Sequence, residues 1–151
     1  MRLWSALYGA IWVVVLEILL GLWPNPPFIV PYVHLVLGLL IVGIAYSNRT
    51  HLVVTRVPGR VKRIAGVTLA FSILMVFLGL LLEFNVGSTF TILGLSIFQV
   101  ILFFHVVFAL AIITQMAAVA IAYDMWEEHE FEKETNPGEI PPPPSPASRS
   151  G

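Results

Sequence analysis

The stretch SIFQVILFFHVVFALAIITQMAAVAIAY, residues 96–123, decides the fold class. It contains no Asp, Glu, Lys or Arg, and its single histidine is His105. Crossing about 30 Å of hydrocarbon takes roughly 20 apolar residues of helix, so this stretch alone is long enough to span a bilayer. Three others read the same way: Ser5 to Trp23, Phe28 to Ser47 and Ile64 to Leu82. Composition agrees. Of 151 residues, 58% are hydrophobic and only 11% charged, with a mean hydropathy of +0.88. A soluble core of this size cannot hide so much apolar surface, whereas lipid can cover it. The expectation is an all-α integral membrane protein, a bundle of four transmembrane helices over residues 1–126.

The first stretch resembles a secretion signal in that Arg2 precedes an apolar run, but it contains Glu17 and ends at Trp23-Pro24 without a small-residue cleavage site. It reads as a retained helix. Cysteine is absent, which excludes disulfides, thiolate metal sites and iron–sulfur clusters. Arg49, Arg56, Arg60, Lys62 and Arg63 all lie between the second and third stretches, and the other two connections carry no cation. The positive-inside rule then places that connection and both termini in the cytoplasm. Trp4, Trp23, Tyr32, Tyr46, Tyr123 and Trp126 fall near the expected helix ends, where amphipathic rings favour the headgroup level.

Beyond Tyr123 the composition changes. Residues 127–136 are rich in glutamate and extend the fourth helix into water; residues 137–151, with Pro141 to Pro144 in a run, read as polyproline II or disordered. The basic connection alternates arginine with Leu52, Val53, Val54, Val57 and Val61, a pattern compatible with an interfacial segment, although topology alone explains its charge. The expected partners are the lipid bilayer and other membrane subunits or further copies of the chain, with no nucleic acid.

An internal repeat organises the helices. Ile18-Leu19-Leu20-Gly21-Leu22 matches Val76-Phe77-Leu78-Gly79-Leu80, and each is followed by a helix bearing a histidine, His34 or His105. Gly38 follows His34 by one turn and Ala109 follows His105 by one turn. Two such hairpins packed about a pseudo-twofold axis along the membrane normal would make the histidines face each other. An ionisable group within a membrane segment is a functional-site hypothesis in itself. Two imidazoles, with small residues beside them, are a means of holding a heme iron. His34 lies 12 residues before Tyr46 and His105 lies 18 before Tyr123. At about 1.5 Å per residue the two would differ in depth by about 9 Å if both tyrosines sat at one level. A fourth helix reaching further into the cytoplasm would absorb that difference.

The heme site expected on these grounds uses His34 and His105 as iron ligands, with Gly38, Gly43 and Ala109 admitting the ring and Phe103, Phe104 and Phe108 walling it. Tyr32, Asn25, Ser88, Thr89, Thr91 and Gln99 are the polar groups available to the propionates. Glu17 is the one carboxylate inside a helix, expected to relay a proton, act catalytically or bond within the bundle. Glu83 at a helix end is expected to be solvated, Thr114 and Gln115 to bond between helices or to a carbonyl, and His51 and His129 not to be ligands.

The four-helix unit, the histidines in helices two and four, the basic connection before helix three and Leu78-Gly79-Leu80 resemble one half of heme A synthase, over Leu7 to Tyr123. In that family the first histidine is typically followed by arginine and preceded by a glutamate; here His34 is followed by Leu35 and preceded by Val30-Pro31-Tyr32-Val33. The resemblance therefore implies a bis-histidine heme b site more readily than methyl-group oxidation. Three readings follow: a membrane b-type cytochrome transferring electrons in a respiratory or heme-processing system, a compact heme A synthase-like oxidoreductase, and a heme-free accessory subunit of a larger respiratory complex.

Overall fold

The structure is a computed structural model that describes residues 3–135, with side chains described for 5–131. Four helices, α1 (Leu3–Gly21), α2 (Val30–Val54), α3 (Gly59–Glu83) and α4 (Ile97–Thr135), form an all-α bundle. Among the described residues the one departure is a short hairpin, β1 (Thr91–Ile92) with β2 (Leu95–Ser96), between α3 and α4. α2, α3 and α4 are each long and apolar enough to cross a membrane, and α1 contributes a shorter apolar helix over Ser5–Gly21. Each helix packs on its neighbours in sequence and α1 closes the ring against α4, so α2 and α4 stand on a diagonal.

Local chemistry sets the helix ends. α1 stops at Gly21, just before Pro24, and Pro31 occupies the first turn of α2, where its missing N–H is no loss. α4 opens on a capping box: the Gln99 N–H donates to Ser96 Oγ (3.2 Å) while the Ser96 N–H donates to Gln99 Oε1 (2.9 Å). Gln99 is thus committed to the cap. α2 and α3 run further than expected from hydropathy, to Val54 and from Gly59, so the basic connection is only residues 55–58 and most of its cations ride on helix ends. Lys62 Nζ donates to the carbonyls of Val53 (3.0 Å) and Thr55 (2.8 Å), satisfying groups left over at the end of α2. Leu52, Val57 and Val61 are buried in a cluster with Val119 and Ala120, against which Tyr123 and Trp126 pack. These residues form the capped end of the bundle, while Val53 and Val54 are exposed. The Pro-rich stretch 137–151 lies outside the described residues.

Inward positions recur at alternating steps of three and four: Leu7, Ala10, Val14, Glu17 and Gly21 on α1, and His34, Gly38, Ile41, Ala45, Asn48 and Leu52 on α2. α3 presents Val61, Ala65, Thr68, Ser72, Met75 and Gly79, and α4 presents His105, Ala109, Ile112, Met116 and Val119. This is the spacing of a bundle seam. The seam is closely packed in the half nearer the basic end, from Leu7 and Val119 to Val14 and Ile112. Beyond that level the interior opens into a cavity of about 330 Å³.

Candidate functional site

His34 and His105 meet in that cavity across the α2–α4 diagonal, their ring centroids 6.2 Å apart and their planes inclined by 53°. The depth difference anticipated from the tyrosines does not separate the rings. Tyr46 lies within α2 and is exposed, whereas Tyr123 packs in the cluster at the basic end, where α4 continues to Thr135. The fourth helix therefore extends further and brings both histidines to one level.

Each imidazole is backed by the glycine of its own hairpin. A Cβ on Gly21 would stand 3.5 Å from Cε1 of His34, and one on Gly79 would stand 3.3 Å from Cε1 of His105. The internal match of Leu20-Gly21-Leu22 with Leu78-Gly79-Leu80 is therefore a match in three dimensions: both glycines let a helix backbone come close to the ring edge. Sequence reasoning found this pair as a repeat but not as the floor of the site. Its signal was a glycine at equivalent positions in two leucine-rich segments.

Glu17 completes one side. Its Oε2 lies 2.6 Å from Nδ1 of His34, an ion-pair contact between α1 and α2. The carboxyl is buried, and Oε1 has no hydrogen-bond partner among the described residues. Nδ1 of His34 and Nδ1 of His105 are likewise buried, and neither makes a regular hydrogen bond among them; the close carboxylate is found at His34 alone. The two halves of the site are therefore alike in shape and different in polarity.

The cavity is otherwise apolar. Gly38 and Ala109 line it as expected, and so do Val76, Leu102, Val106 and Ile112. Phe103, Phe104 and Phe108 do not: the first two are exposed, and Phe108 packs on Phe71 with centroids 4.9 Å apart. Phe103 and Phe104, two positions and one position before His105, lie on the outward side of α4, and Phe108 is taken up by its packing on α3. Gly43 also lies off the cavity, with nothing near its Cα to crowd a side chain. None of Tyr32, Asn25, Ser88, Thr89, Thr91 and Gln99 reaches the lining, whereas Glu83, exposed as expected, stands at its rim.

Beneath the cavity runs a second polar level. Ser72, which lines the cavity, donates to the Thr68 carbonyl (2.8 Å). Thr68 Oγ1 lies 2.9 Å from both the Ile64 carbonyl and Gln115 Oε1. Thr114 bonds back to the Leu110 carbonyl at 2.8 Å. Asn48, only 4% exposed, holds an unpartnered Oδ1 beside a small void of about 10 Å³ lined also by Thr68. His51 is exposed and away from both cavities. No group of three or more His, Cys, Asp or Glu side chains placed to hold a metal ion exists among the described residues.

No family model, no curated protein and no solved structure matches this chain.

Proposed function

We propose that the chain is a membrane b-type cytochrome in which His34 and His105 hold one heme b between α2 and α4. The observation that carries this reading is the pair of imidazoles facing each other at 6.2 Å. A metal bound at about 2 Å from a nitrogen of each ring implies ring centres roughly 6 Å apart, so the donor spacing suits one shared iron. Two side-chain donors are few for a bare ion, and a porphyrin supplies four more nitrogens. The glycine floors at Gly21 and Gly79 and the small residues Gly38 and Ala109 give the space.

Bound heme supplies one-electron chemistry between ferric and ferrous states. The chain's own work is to fix the two imidazoles, exclude water with Val14, Ile41 and Ile112 beneath the site, and hold a low-dielectric wall around it. With His34 and His105 both holding it, the heme would serve electron transfer in a respiratory or heme-processing system rather than oxygen chemistry. The heme A synthase-like reading needs an acid–base group free to act, and Glu17 is engaged on His34. The basic end, with Arg49, Arg56, Arg60, Lys62 and Arg63, is assigned to the cytoplasm by the positive-inside rule.

The test is a reduced-minus-oxidised absorption spectrum of the detergent-solubilised protein after heme-replete expression, with pyridine hemochrome extraction. A low-spin b-type signal near one heme per chain, abolished in both His34→Ala and His105→Ala, is expected. A colourless wild-type protein would overturn the reading in favour of a heme-free accessory subunit.

A further inference from the structure

Resting on the cytochrome reading, we infer that Glu17 is a positioning residue for His34 alone, and that the site is built from two deliberately unequal imidazoles. Glu17 Oε2 stands 2.6 Å from His34 Nδ1, close enough for the two to share a proton, though without the alignment of a regular hydrogen bond. A carboxylate is an acceptor, so Nδ1 is the donor and Nε2 keeps the lone pair that a metal requires. The same contact holds the ring against rotation about its bond to the backbone. It does so from α1, the helix whose Gly21 touches the same ring.

The repeat makes the asymmetry legible. Glu17 stands one turn before Gly21 on α1, and the residue one turn before Gly79 on α3 is Met75. Both Glu17 and Met75 line the cavity. A thioether is at best a weak acceptor, and Nδ1 of His105 has no carboxylate within ion-pair distance among the described residues, whereas Nδ1 of His34 has Glu17. One hairpin therefore presents a carboxylate to its histidine where the other presents a sulfur. Hydrogen bonding from the far ring nitrogen to a carboxylate raises the basicity of the ligating nitrogen. A more basic ligand stabilises the ferric over the ferrous state. Glu17 thus lowers the potential of the site through His34, and the His105 side is left as the weaker donor.

The experiment is an optical redox titration of the purified heme-loaded wild-type protein beside Glu17→Gln, Met75→Glu and Met75→Gln. Glu17→Gln keeps the shape and weakens the acceptor, so at a fixed ambient potential its ferrous-to-ferric ratio should rise about tenfold. Met75→Glu should move the ratio the opposite way by giving His105 Nδ1 the partner it lacks. Met75→Gln, uncharged and close in size to methionine, should move it in the same direction by less, and serves if the added carboxylate prevents folding. A residue that only braces the bundle would lose heme on substitution without moving the potential of what remains bound. Unmoved potentials in Glu17→Gln and in the Met75 variants, with heme retained, would overturn the inference and leave the cytochrome reading intact. A colourless wild-type protein would overturn the cytochrome reading itself, and this inference with it.

Discussion

Gly79 sits closer to His105 than its counterpart Gly21 sits to His34: an added Cβ would be 3.3 Å from Cε1 in the first case and 3.5 Å in the second. The difference is small in distance and large in consequence. At 3.5 Å a methyl group makes an ordinary van der Waals contact, whereas at 3.3 Å the imidazole must give way. The steep repulsive wall of close-packed interiors turns a few tenths of an ångström into a change of sign.

Gly21→Ala should therefore be tolerated with little change in stability, because the methyl group meets only an ordinary contact and Gly21 is the last residue of α1, where helix propensity counts for little. Gly79→Ala, inside α3, gains about 0.5–1 kcal/mol of helix propensity and loses more than that by pushing the His105 ring. Thermal melts of the two variants in detergent, read beside heme content, should rank Gly21→Ala above Gly79→Ala in both. Equal behaviour would mean that the ring is not held against α3.

The Thr68–Gln115 bond joins α3 to α4 beneath the cavity. Interhelical bonds of this kind in membrane bundles are worth about 0.6 kcal/mol, because separated helices find other partners. A double-mutant cycle with Thr68→Val and Gln115→Leu should return a coupling of about that size. Strict additivity would dissolve the bond.

The sequence made the spans plain and left the interior hard to read, for one physical reason. In water an amphipathic helix marks its buried face by contrast; in lipid the outward face is apolar as well, and contrast vanishes. Phe103 and Phe104 were assigned to the site because they are large and near His105, yet they face outward. What does mark the seam is polarity and smallness. Glu17, His34, Asn48, Thr68, Ser72 and His105 all fall on it, as do Gly21, Gly38 and Gly79. The paired glycines were visible as a repeat, but their contact with the rings depends on how each hairpin closes. The contact of Glu17 with His34 depends on the relative depth of two helices, which the intervening prolines and Asn25, at φ 51°, help to set.

The connection between α3 and α4 depends on two glycines with unequal room. Gly87 has φ +77°, and a Cβ there would come within 2.6 Å of Ile97 Cβ; Gly94 has φ +83° and open space around it. Gly94→Ala should cost about 1–2 kcal/mol for the left-handed backbone alone. Gly87→Ala adds a collision with the first residue of α4 and should be markedly worse, lowering the melting temperature further. Parity between them would show that the loop re-forms without its contact on Ile97.

Asn48 offers the sharpest stability test. It is 4% exposed, and its Oδ1 has no partner among the described residues. Around it lie Leu7, Ala45, Ala65, Met116 and Val119, all apolar, and Thr68, whose hydroxyl is engaged with the Ile64 carbonyl and Gln115. A buried acceptor left unpaired costs about 1–3 kcal/mol. Leucine keeps the branched shape of asparagine, and its extra bulk has the neighbouring void of about 10 Å³ to enter. Asn48→Leu should therefore raise stability by about 1 kcal/mol or more, read as a higher melting temperature, without altering the heme spectrum. The spectrum should hold because the layers at Ala45 and Ile41 separate Asn48 from Gly38 and His34 on the same helix. A fall in stability would mean that the amide is satisfied by a buried water, for which a void of that size is just sufficient.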